Sequence, residues 1–280
     1  MTPSTPAAPP RAWAEAAPIG VVAPVAAFAR HAAAIFAVEF QKMRRDPTDL
    51  FTRAVQPLLW LLVFGQVFAR TRAIPTGSLS YLEFMAPGVL AQSVLFTAIF
   101  YGIGVIWERD LGVVHKLLVS PSNRASLVLG KAMAAGIRTL TQAVIIILLA
   151  ILMGIRVRLD PLSLIGLSCA VMLGGALFST FSLVIACVVK TRDRFMGIGQ
   201  LLTMPLFFAS NAIYPIDLMP PWLKVIAQYN PLTYLVGALR ALMVQGGIGT
   251  VGLATDFGVL ALVFIALLLL AARLFPGIVR

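Results

Sequence analysis

Long apolar segments, separated by short polar loops, dominate the sequence after residue 49. In lipid, a helix of about 20 apolar residues satisfies its own backbone groups and crosses the bilayer. With 60% hydrophobic and 12% charged residues, the chain is more apolar than a soluble core of 280 residues needs. We therefore predict an all-α, polytopic membrane protein. Its six predicted spans cover about residues 50–69, 81–106, 132–155, 162–189, 195–214 and 254–275.

Two segments precede the first span. Residues 1–24 are rich in Ala and Pro and lack an apolar core ending in a cleavage site, which predicts a disordered cytoplasmic tail and not a signal peptide. Residues 25–45 are amphipathic, with Phe28 and Ile35 opposite Arg30, as is typical of an interfacial helix. Glu39 lies within the apolar face, so we expect it to contact protein or to pair with a nearby cation.

Polar features within the spans lead to two further expectations. Gln56 and Gln66 are expected to be the buried polar groups of the first span. The second span should be kinked near Pro87 and Gly88, because proline removes a backbone hydrogen bond. Residues 25–280 together are predicted to form a single transmembrane domain.

The longest polar interruption among the first spans is the loop at residues 107–131. If its first part is a short helix, Leu111, Val114, His115 and Leu118 fall on one side, at the i, i+3, i+4 and i+7 positions. Such a helix would lie on the membrane surface. A solvated loop with chance periodicity is the alternative, and the pattern alone does not separate the two.

The segment at residues 215–245 fits no simple span. Its apolar run after Pro231 is interrupted at Arg240 and is only about 13 residues long, short of the roughly 20 that cross a bilayer. We predict a re-entrant pair of short helices, separated near Asn230 and Pro231, that dips part-way into the membrane from outside between the fifth and sixth spans.

The distribution of cations predicts the orientation. With six spans, 16 of the 22 Lys and Arg residues lie on the side of both termini. The positive-inside rule then places both termini and the 107–131 loop in the cytoplasm. The net charge of +11 is explained by these loops and by anionic headgroups, so nucleic-acid binding is not expected.

Neither a disulfide nor a histidine metal site is expected. Cys169 and Cys187 lie in the same predicted helix, 18 residues and so about 27 Å apart, too far to pair. The only two histidines are His31 and His115. We predict neither a metal site nor catalytic residues.

Two stretches resemble the type-2 ABC exporter permeases, the family that includes daunorubicin-type drug exporters and nodulation-factor exporters. The first is ERDLGVVHKLLVSP, which begins at Glu108, with Gly130 and Lys131 after it. The second is LLTMPLFFASNAIYPIDLMPPWLKVIAQYNPLTYLVGALRALM, which begins at Leu201. Asp110 and Asn211 depart from the family pattern, which more often has Glu and Gly there.

The resemblance implies a permease subunit in the bacterial inner membrane. Such permeases pair with a second copy, the same chain or a different one, and two ATPase subunits dock beneath them. This chain has no P-loop, because Ala132 follows Lys131 and no glycine stands five residues before Gly130. ATP and Mg are therefore expected on the partner subunit, with no cofactor and no enzyme activity in this chain.

The resemblance also implies which residues contact the ATPase. Charged residues would set the register and apolar residues would supply the affinity. The predicted coupling residues are Glu108, Arg109, Asp110, Leu111, Val114, His115, Lys116 and Leu118.

The cargo is predicted only by class. The spans lack a central cluster of ionisable groups, which favours an apolar or amphipathic cargo such as a drug, lipid, glycolipid or polysaccharide. Candidate residues along its path are Gln92, Phe207, Phe208, Ser210, Asn211 and, near the outer mouth, Glu83. Ordinary helix packing accounts for each of them equally well.

Three alternatives stay open. A proton- or sodium-coupled secondary transporter would need an ion site at mid-membrane, whereas Glu83, Asp217 and Asp256 are predicted near the outer surface. A membrane-embedded enzyme would need clustered His, Asp or Glu at the interface. Import instead of export is not excluded by the residues, although the resemblance favours export.

Overall fold

The structure, a computed structural model, describes residues 22–45, 55–71, 74–114, 124–189 and 191–275. Every regular element within these ranges is a helix, which confirms the predicted all-α class. The helices are α1 Val22–Arg45, α2 Val55–Arg70, α3 Tyr81–Asp110, α4 Arg124–Leu152, α5 Pro161–Val188, α6 Arg192–Phe208, α7 Pro221–Tyr229, α8 Pro231–Met243 and α9 Leu253–Leu274. Four of them, α3, α4, α5 and α9, are long and apolar enough to cross a membrane.

The beginnings of α3 and α5 follow from local capping chemistry. Ser80 and Glu83 form a capping box, in which the Ser80 side chain accepts from the Glu83 N–H and Glu83 Oε2 accepts from the Ser80 N–H at 2.9 Å. Asp160 accepts from the Ser163 N–H at 3.0 Å, and Pro161 occupies the first turn. The two helices that begin at these caps, α3 and α5, pack side by side.

Helix α3 is continuous through Pro87 and Gly88, the position at which the sequence predicts a kink. Gly88 lets the Ala212 carbonyl approach, since a Cβ there would lie 2.2 Å from that oxygen. Two expectations about other helices are wrong. Helix α4 begins at Arg124, eight residues before the predicted span. Gln56 and Gln66 are exposed on α2, not buried.

The chain after α5 divides into shorter helices. Helix α6 ends at Phe208, before the predicted limit at residue 214, and a turn and the 3-10 helix Ile216–Leu218 follow. Asn230 separates α7 from α8 with ψ 115°, at the predicted position. Its side chain accepts from the Leu232 N–H and donates to the Leu206 and Ala209 carbonyls, so the break is fixed to the end of α6.

Helix α3 defines two ends of the bundle, which we call the Tyr81 end and the Asp110 end. At the Tyr81 end, the Phe68 ring of α2 lies 5.6 Å from the Tyr81 ring. The loop between α4 and α5 reaches the end of α8 there, because the Arg158 N–H donates to the Met243 carbonyl at 2.8 Å.

The Asp110 end holds the opposite ends of the neighbouring helices. Val105 of α3 clusters with Leu127 of α4 and with Phe275, directly after α9. Ile106 of α3 clusters with Phe195 in the first turn of α6. Helix α6 therefore runs from the Asp110 end towards the Tyr81 end, antiparallel to α3.

Candidate functional site

Four charged side chains form a closed network at the Asp110 end. Lys131 Nζ lies 2.9 Å from Glu39 Oε1 and 2.6 Å from Glu108 Oε2. Lys42 Nζ lies 3.2 Å from Glu39 Oε1 and 2.5 Å from Glu108 Oε1. Positive and negative groups alternate around the ring, which joins α1, α3 and α4. The expectation that Glu39 pairs with a nearby cation is confirmed.

The close approach of α1 to α4 depends on Gly130. A Cβ at this position would lie 2.6 Å from the Ala32 carbonyl oxygen and 2.8 Å from the Ile35 Cβ. With no side chain at Gly130, α1 lies directly against α4, and Glu39 reaches Lys131 one residue further along. Gly130 therefore permits the contact between α1 and α4, and Lys131 supplies the positive charge that pairs with Glu39.

Two members of the network are buried, so the loss of either partner is costly. Lys131 and Glu39 expose only 4% and 7% of their side chains. Burial alone would raise the pKa of Glu39, but the Lys131 and Lys42 ammonium groups outweigh it and lower that pKa to about 2. Glu39 is therefore ionised across the physiological range. Removing one member would leave a buried charge without its partner, which is strongly destabilising.

A cavity of about 470 Å³ opens beside the network. Its polar part includes Lys131 and Arg138, and its apolar part includes Phe100, Ile103 and Trp107. The Arg138 guanidinium lies 5.7 Å from the centre of the Tyr101 ring. This arrangement can hold a molecule with a polar head and an apolar body.

Just beyond the network, the end of α3 presents an apolar patch with a charged rim. Leu111 is 76% exposed and Trp107 52%, and Val113 is also exposed. Asp110 accepts from Arg109 and from Arg192, each at 2.9 Å. The Arg192 guanidinium also lies 5.0 Å from the Trp107 ring centre. We call Trp107, Asp110, Leu111, Val113 and Arg192 the α3 patch.

The predicted coupling residues divide into four groups. Arg109, Asp110 and Leu111 lie at or beside the α3 patch, whereas Glu108 is held within the network. Val114 is fully buried, so Leu111 and Val114 lie in different environments. The chain turns at Gly112, where φ is +72°. The charged residues Glu108, Arg109 and Asp110 belong to the last turn of α3. His115, Lys116 and Leu118 lie outside the described residues.

The predicted cargo-path residues do not form one surface. Phe207, Phe208 and Ser210 are in contact, with the two rings 5.4 Å apart and the Ser210 hydroxyl donating to the Phe207 carbonyl at 2.7 Å. Gln92 is buried on α3, and its Oε1 has no hydrogen-bond partner in the part of the chain that the structure describes. Glu83 caps α3 and lies 3.3 Å from Arg156 Nε, a structural role.

Asn211 lies instead at a second cavity, of about 650 Å³, at the Tyr81 end. Arg240 lines the same cavity although it is only 6% exposed. Its Nη2 donates to the Asn211 carbonyl at 2.8 Å and to the Phe84 carbonyl at 3.3 Å, and the guanidinium carbon lies 3.9 Å from the Phe84 ring centre.

A comparison with family models matches residues 30–244 to the ABC-2 type transporter family. The match covers more than half of the chain and includes the network, the α3 patch and the cavity beside the network, together with Asn211 and Arg240 of the second cavity. The chain belongs to the ABC-2 type transporter family.

Curated relatives of this ABC-2 permease include transport proteins from algae and bacteria. The putative transport permease ycf38 of Cyanophora paradoxa is 32% identical over 206 residues, 72% of this chain and 70% of the relative. The daunorubicin resistance ABC transporter permease protein DrrB1 of Streptomyces coeruleorubidus is 26% identical over 197 residues, 70% of this chain and 69% of the relative. The inner membrane transport permease YadH of Escherichia coli K12 is 24% identical over 243 residues, 84% of this chain and 91% of the relative. The chain is therefore the membrane subunit of an ABC transporter.

Sequence reasoning missed three features of this ABC-2 permease. It did not place Lys131 in the network, since its carboxylate partner Glu39 lies 92 residues away along the chain. It treated Arg240 as an interruption of an apolar run, yet Arg240 bonds two distant carbonyls. It also left Trp107 outside the coupling set. The signal for Lys131 was present in Glu39, a carboxylate on an apolar face that needs a cation.

Proposed function

We propose that this permease is the membrane subunit of an ATP-driven exporter in the bacterial inner membrane, and that a separate ATPase docks on the α3 patch. The observation that carries the proposal is the position of that patch. It continues directly from Glu108, and Glu108 is tied through Lys131 and Lys42 to α1 and α4. ATP and Mg would be bound by the partner, and this chain would hydrolyse nothing.

The network supports the transmission of motion. Movement of the end of α3 displaces Glu108, which holds both lysines. Because the ring is closed by Glu39, α1 and α4 must move with α3 or the buried ion pairs must break. A push on the α3 patch would therefore reach three helices at once.

The positions of the helix ends support six crossings. Besides the four long helices, α6 begins beside Ile106 and ends next to the turn whose Ala212 contacts Gly88, so it runs along most of α3. Helix α2 ends beside Tyr81, whereas α1 before it lies against Lys131 at the other end. Helices α2 and α6 would therefore each cross the membrane once, in addition to the four long helices. Helices α7 and α8 would form the re-entrant pair.

The cation distribution supports an inner location for the Asp110 end. Arg30, Lys42, Arg109, Arg124, Lys131 and Arg192 belong to that end, and Arg70, Arg156, Arg158 and Lys224 to the other. By the positive-inside rule the Asp110 end faces the cytoplasm, as would both termini. In this orientation the α3 patch would be accessible to a cytoplasmic ATPase.

The exposed sides of α2 and α6 support a second permease copy. Gln56 and Gln66 of α2 and Gln200 of α6 are exposed among apolar side chains. The two helices meet where the Trp60 ring lies 6.0 Å from the Phe207 ring. Glutamine side chains in hydrocarbon favour hydrogen bonds to another helix, so this surface fits a dimer better than lipid.

The cargo would be amphipathic or hydrophobic. The cavity beside Lys131 and Arg138 combines a charged part with an apolar wall. In the proposed orientation it would lie near the inner headgroups. Drug, lipid, glycolipid and polysaccharide precursors share this division of polar and apolar parts. The relative DrrB1 is named for daunorubicin resistance.

Docking is tested by co-purification with a co-expressed ABC ATPase subunit. Leu111→Asp would place a charge in the centre of the α3 patch without disturbing the core, because Leu111 is 76% exposed. We expect it to lower ATPase retention by about tenfold or more, as for an apolar anchor at an interface. The matched control is Leu152→Asp, a leucine that is 83% exposed at the opposite end of the molecule. Equal retention in both variants would contradict docking at the α3 patch.

One observation favours the secondary-transporter alternative. Asp256 in the first turn of α9 is fully buried, and neither carboxylate oxygen has a hydrogen-bond partner among the described residues. A buried carboxylate of this kind could carry a proton. That alternative predicts solute movement driven by a proton or sodium gradient in liposomes containing the permease alone, with no effect of Leu111→Asp.

A further inference from the structure

The cavity at the Tyr81 end is built from six parts of the chain. The loop before α3, the turn after α6, helix α8 and the loop before α9 all contribute to its wall, as do Phe84 of α3 and Gln228 of α7. Exposed residues such as Ser78, Asp217 and Gln228 form its rim, and Asn211 and Arg240 are buried within it. The cavity is therefore open at the surface and has a cationic base.

Arg240 has hydrogen-bonding capacity that its structural contacts do not use. Its two described hydrogen bonds both run through Nη2, to the Asn211 and Phe84 carbonyls. Its Nε has no partner in the described structure. Guanidinium groups carry five N–H donors, and their planar geometry matches the oxygens of phosphate and carboxylate.

The charge of Arg240 is also not balanced by a carboxylate. None of the ion pairs among the described residues includes it, and burial of a cation without a counter-charge is unfavourable. Asp217 lies at the exposed rim. Asp256 lies behind Gly237, where a Cβ would be 2.9 Å from its Oδ2, and does not line the cavity.

Asn211 and Thr250 line the cavity beside Arg240 with polar groups. Asn211 Nδ2 donates to Thr250 Oγ1 at 2.7 Å, and Asn211 Oδ1 is buried without a partner. Phe84, whose ring packs against the Arg240 guanidinium, adds an apolar wall. A cation, neutral polar groups and an aromatic surface together suit an anionic head on an apolar body.

We propose that this outer cavity is a binding site for an oxyanion, either a phosphate or a carboxylate group, with Arg240 as its cationic anchor. The site does not depend on ATPase docking, and only its location on the outer face rests on the proposed orientation. The anion could arrive on an amphipathic lipid or as a free ion, and both supply the same oxygens to Arg240.

The test uses the purified full-length permease in phosphatidylcholine nanodiscs. The probes are oleoyl lysophosphatidic acid and 1-monooleoylglycerol, which share one acyl chain and differ in the phosphate. We expect the wild type to bind the phosphate-bearing probe about tenfold more tightly, since a charge-assisted hydrogen bond is strong in a buried site. Competition by inorganic phosphate would identify the free ion as a sufficient ligand, and its failure to compete would identify a lipid-borne group.

Two variants separate a charge beside Arg240 from a charge elsewhere at the Tyr81 end. Asn211→Asp keeps the size of the side chain and can accept from the Thr250 hydroxyl, but it places a negative charge beside Arg240, so the preference should disappear. Gln245→Glu adds the same charge at an exposed position outside the cavity lining, so the preference should remain. Equal binding of the two probes by the wild type, or an unchanged preference in Asn211→Asp, would overturn the proposal. Neither result would affect co-purification with the ATPase.

Discussion

Gly88 and Gly104 lie on the same helix and have opposite surroundings. A Cβ on Gly88 would lie 2.2 Å from the backbone oxygen of Ala212, which the chain cannot move without shifting the turn after α6. A Cβ on Gly104 would meet nothing within 4 Å. The two positions therefore separate the effect of close packing from the general preference of a helix for alanine over glycine.

We expect Gly88→Ala to destabilise the permease by about 2 kcal/mol, the typical effect of overpacking. Gly104→Ala should be neutral or slightly stabilising. The measurement is the thermal midpoint of the purified full-length protein in detergent. If both variants unfold at the same temperature as the wild type, the contact between α3 and the turn at Ala212 is not as described.

At the scale of single residues, sequence patterns showed that a side chain must find a partner, but they did not show which residue that partner is. The position of Glu39 on an apolar face predicted that it must pair, and the structure pairs it with Lys131 and Lys42. The same reasoning failed for Gln56 and Gln66, because apolar neighbours along the chain do not reveal which side of a helix meets protein. Arg240 was missed since its carbonyl partners come from α3 and from the turn after α6.

At the scale of elements, the network binds α1 to the bundle through charges that are independent of pH over a wide range. The pKa of Glu39 is lowered from 4.5 to about 2, because the lysines outweigh the effect of its burial. A carboxyl group with a lowered pKa contributes stability above its unfolded pKa and loses that contribution as the pH falls towards the folded value.

We expect Glu39→Gln to lower the thermal midpoint at pH 7, corresponding to roughly 2 kcal/mol for a lost charge-assisted hydrogen bond. The difference from the wild type should stay constant down to a pH of about 4.5 and vanish as the pH approaches 2. Asp217→Asn, at an exposed carboxylate, is the control and should show no such difference. A difference that already disappears near pH 6 would show that Glu39 is not held by the lysines.

Some helix boundaries were predictable from hydropathy along the chain, and others were not because tertiary contacts decide them. Helices α5 and α9 lie within a residue of their predicted spans. From the sequence, the charge of Lys131 marked the start of the apolar span. In the structure two carboxylates neutralise this charge, and helix α4 extends back to Arg124. The end of α6 at Phe208 was missed, since Asn230 of a later segment bonds the Leu206 and Ala209 carbonyls there.

At the scale of the whole molecule, the two ends of the bundle carry different chemistry. The Asp110 end has the closed charge network, the cavity beside it and the exposed α3 patch, whereas the Tyr81 end has the cavity with Arg240. The all-α class and the family followed from hydropathy and from two sequence stretches. The separation of the two cavities did not, because it depends on which loops meet at each end.

The most direct test of the central claim is transport by proteoliposomes that contain the permease with or without its ATPase. Fluorescent hydrophobic probes, daunorubicin among them, would be added outside together with ATP, which reaches the complexes whose ATPases face outwards. We predict accumulation that requires both proteins and ATP, is independent of proton and sodium gradients, and is lost in Leu111→Asp. Accumulation driven by a proton or sodium gradient in liposomes with the permease alone, unchanged in Leu111→Asp, would contradict the account.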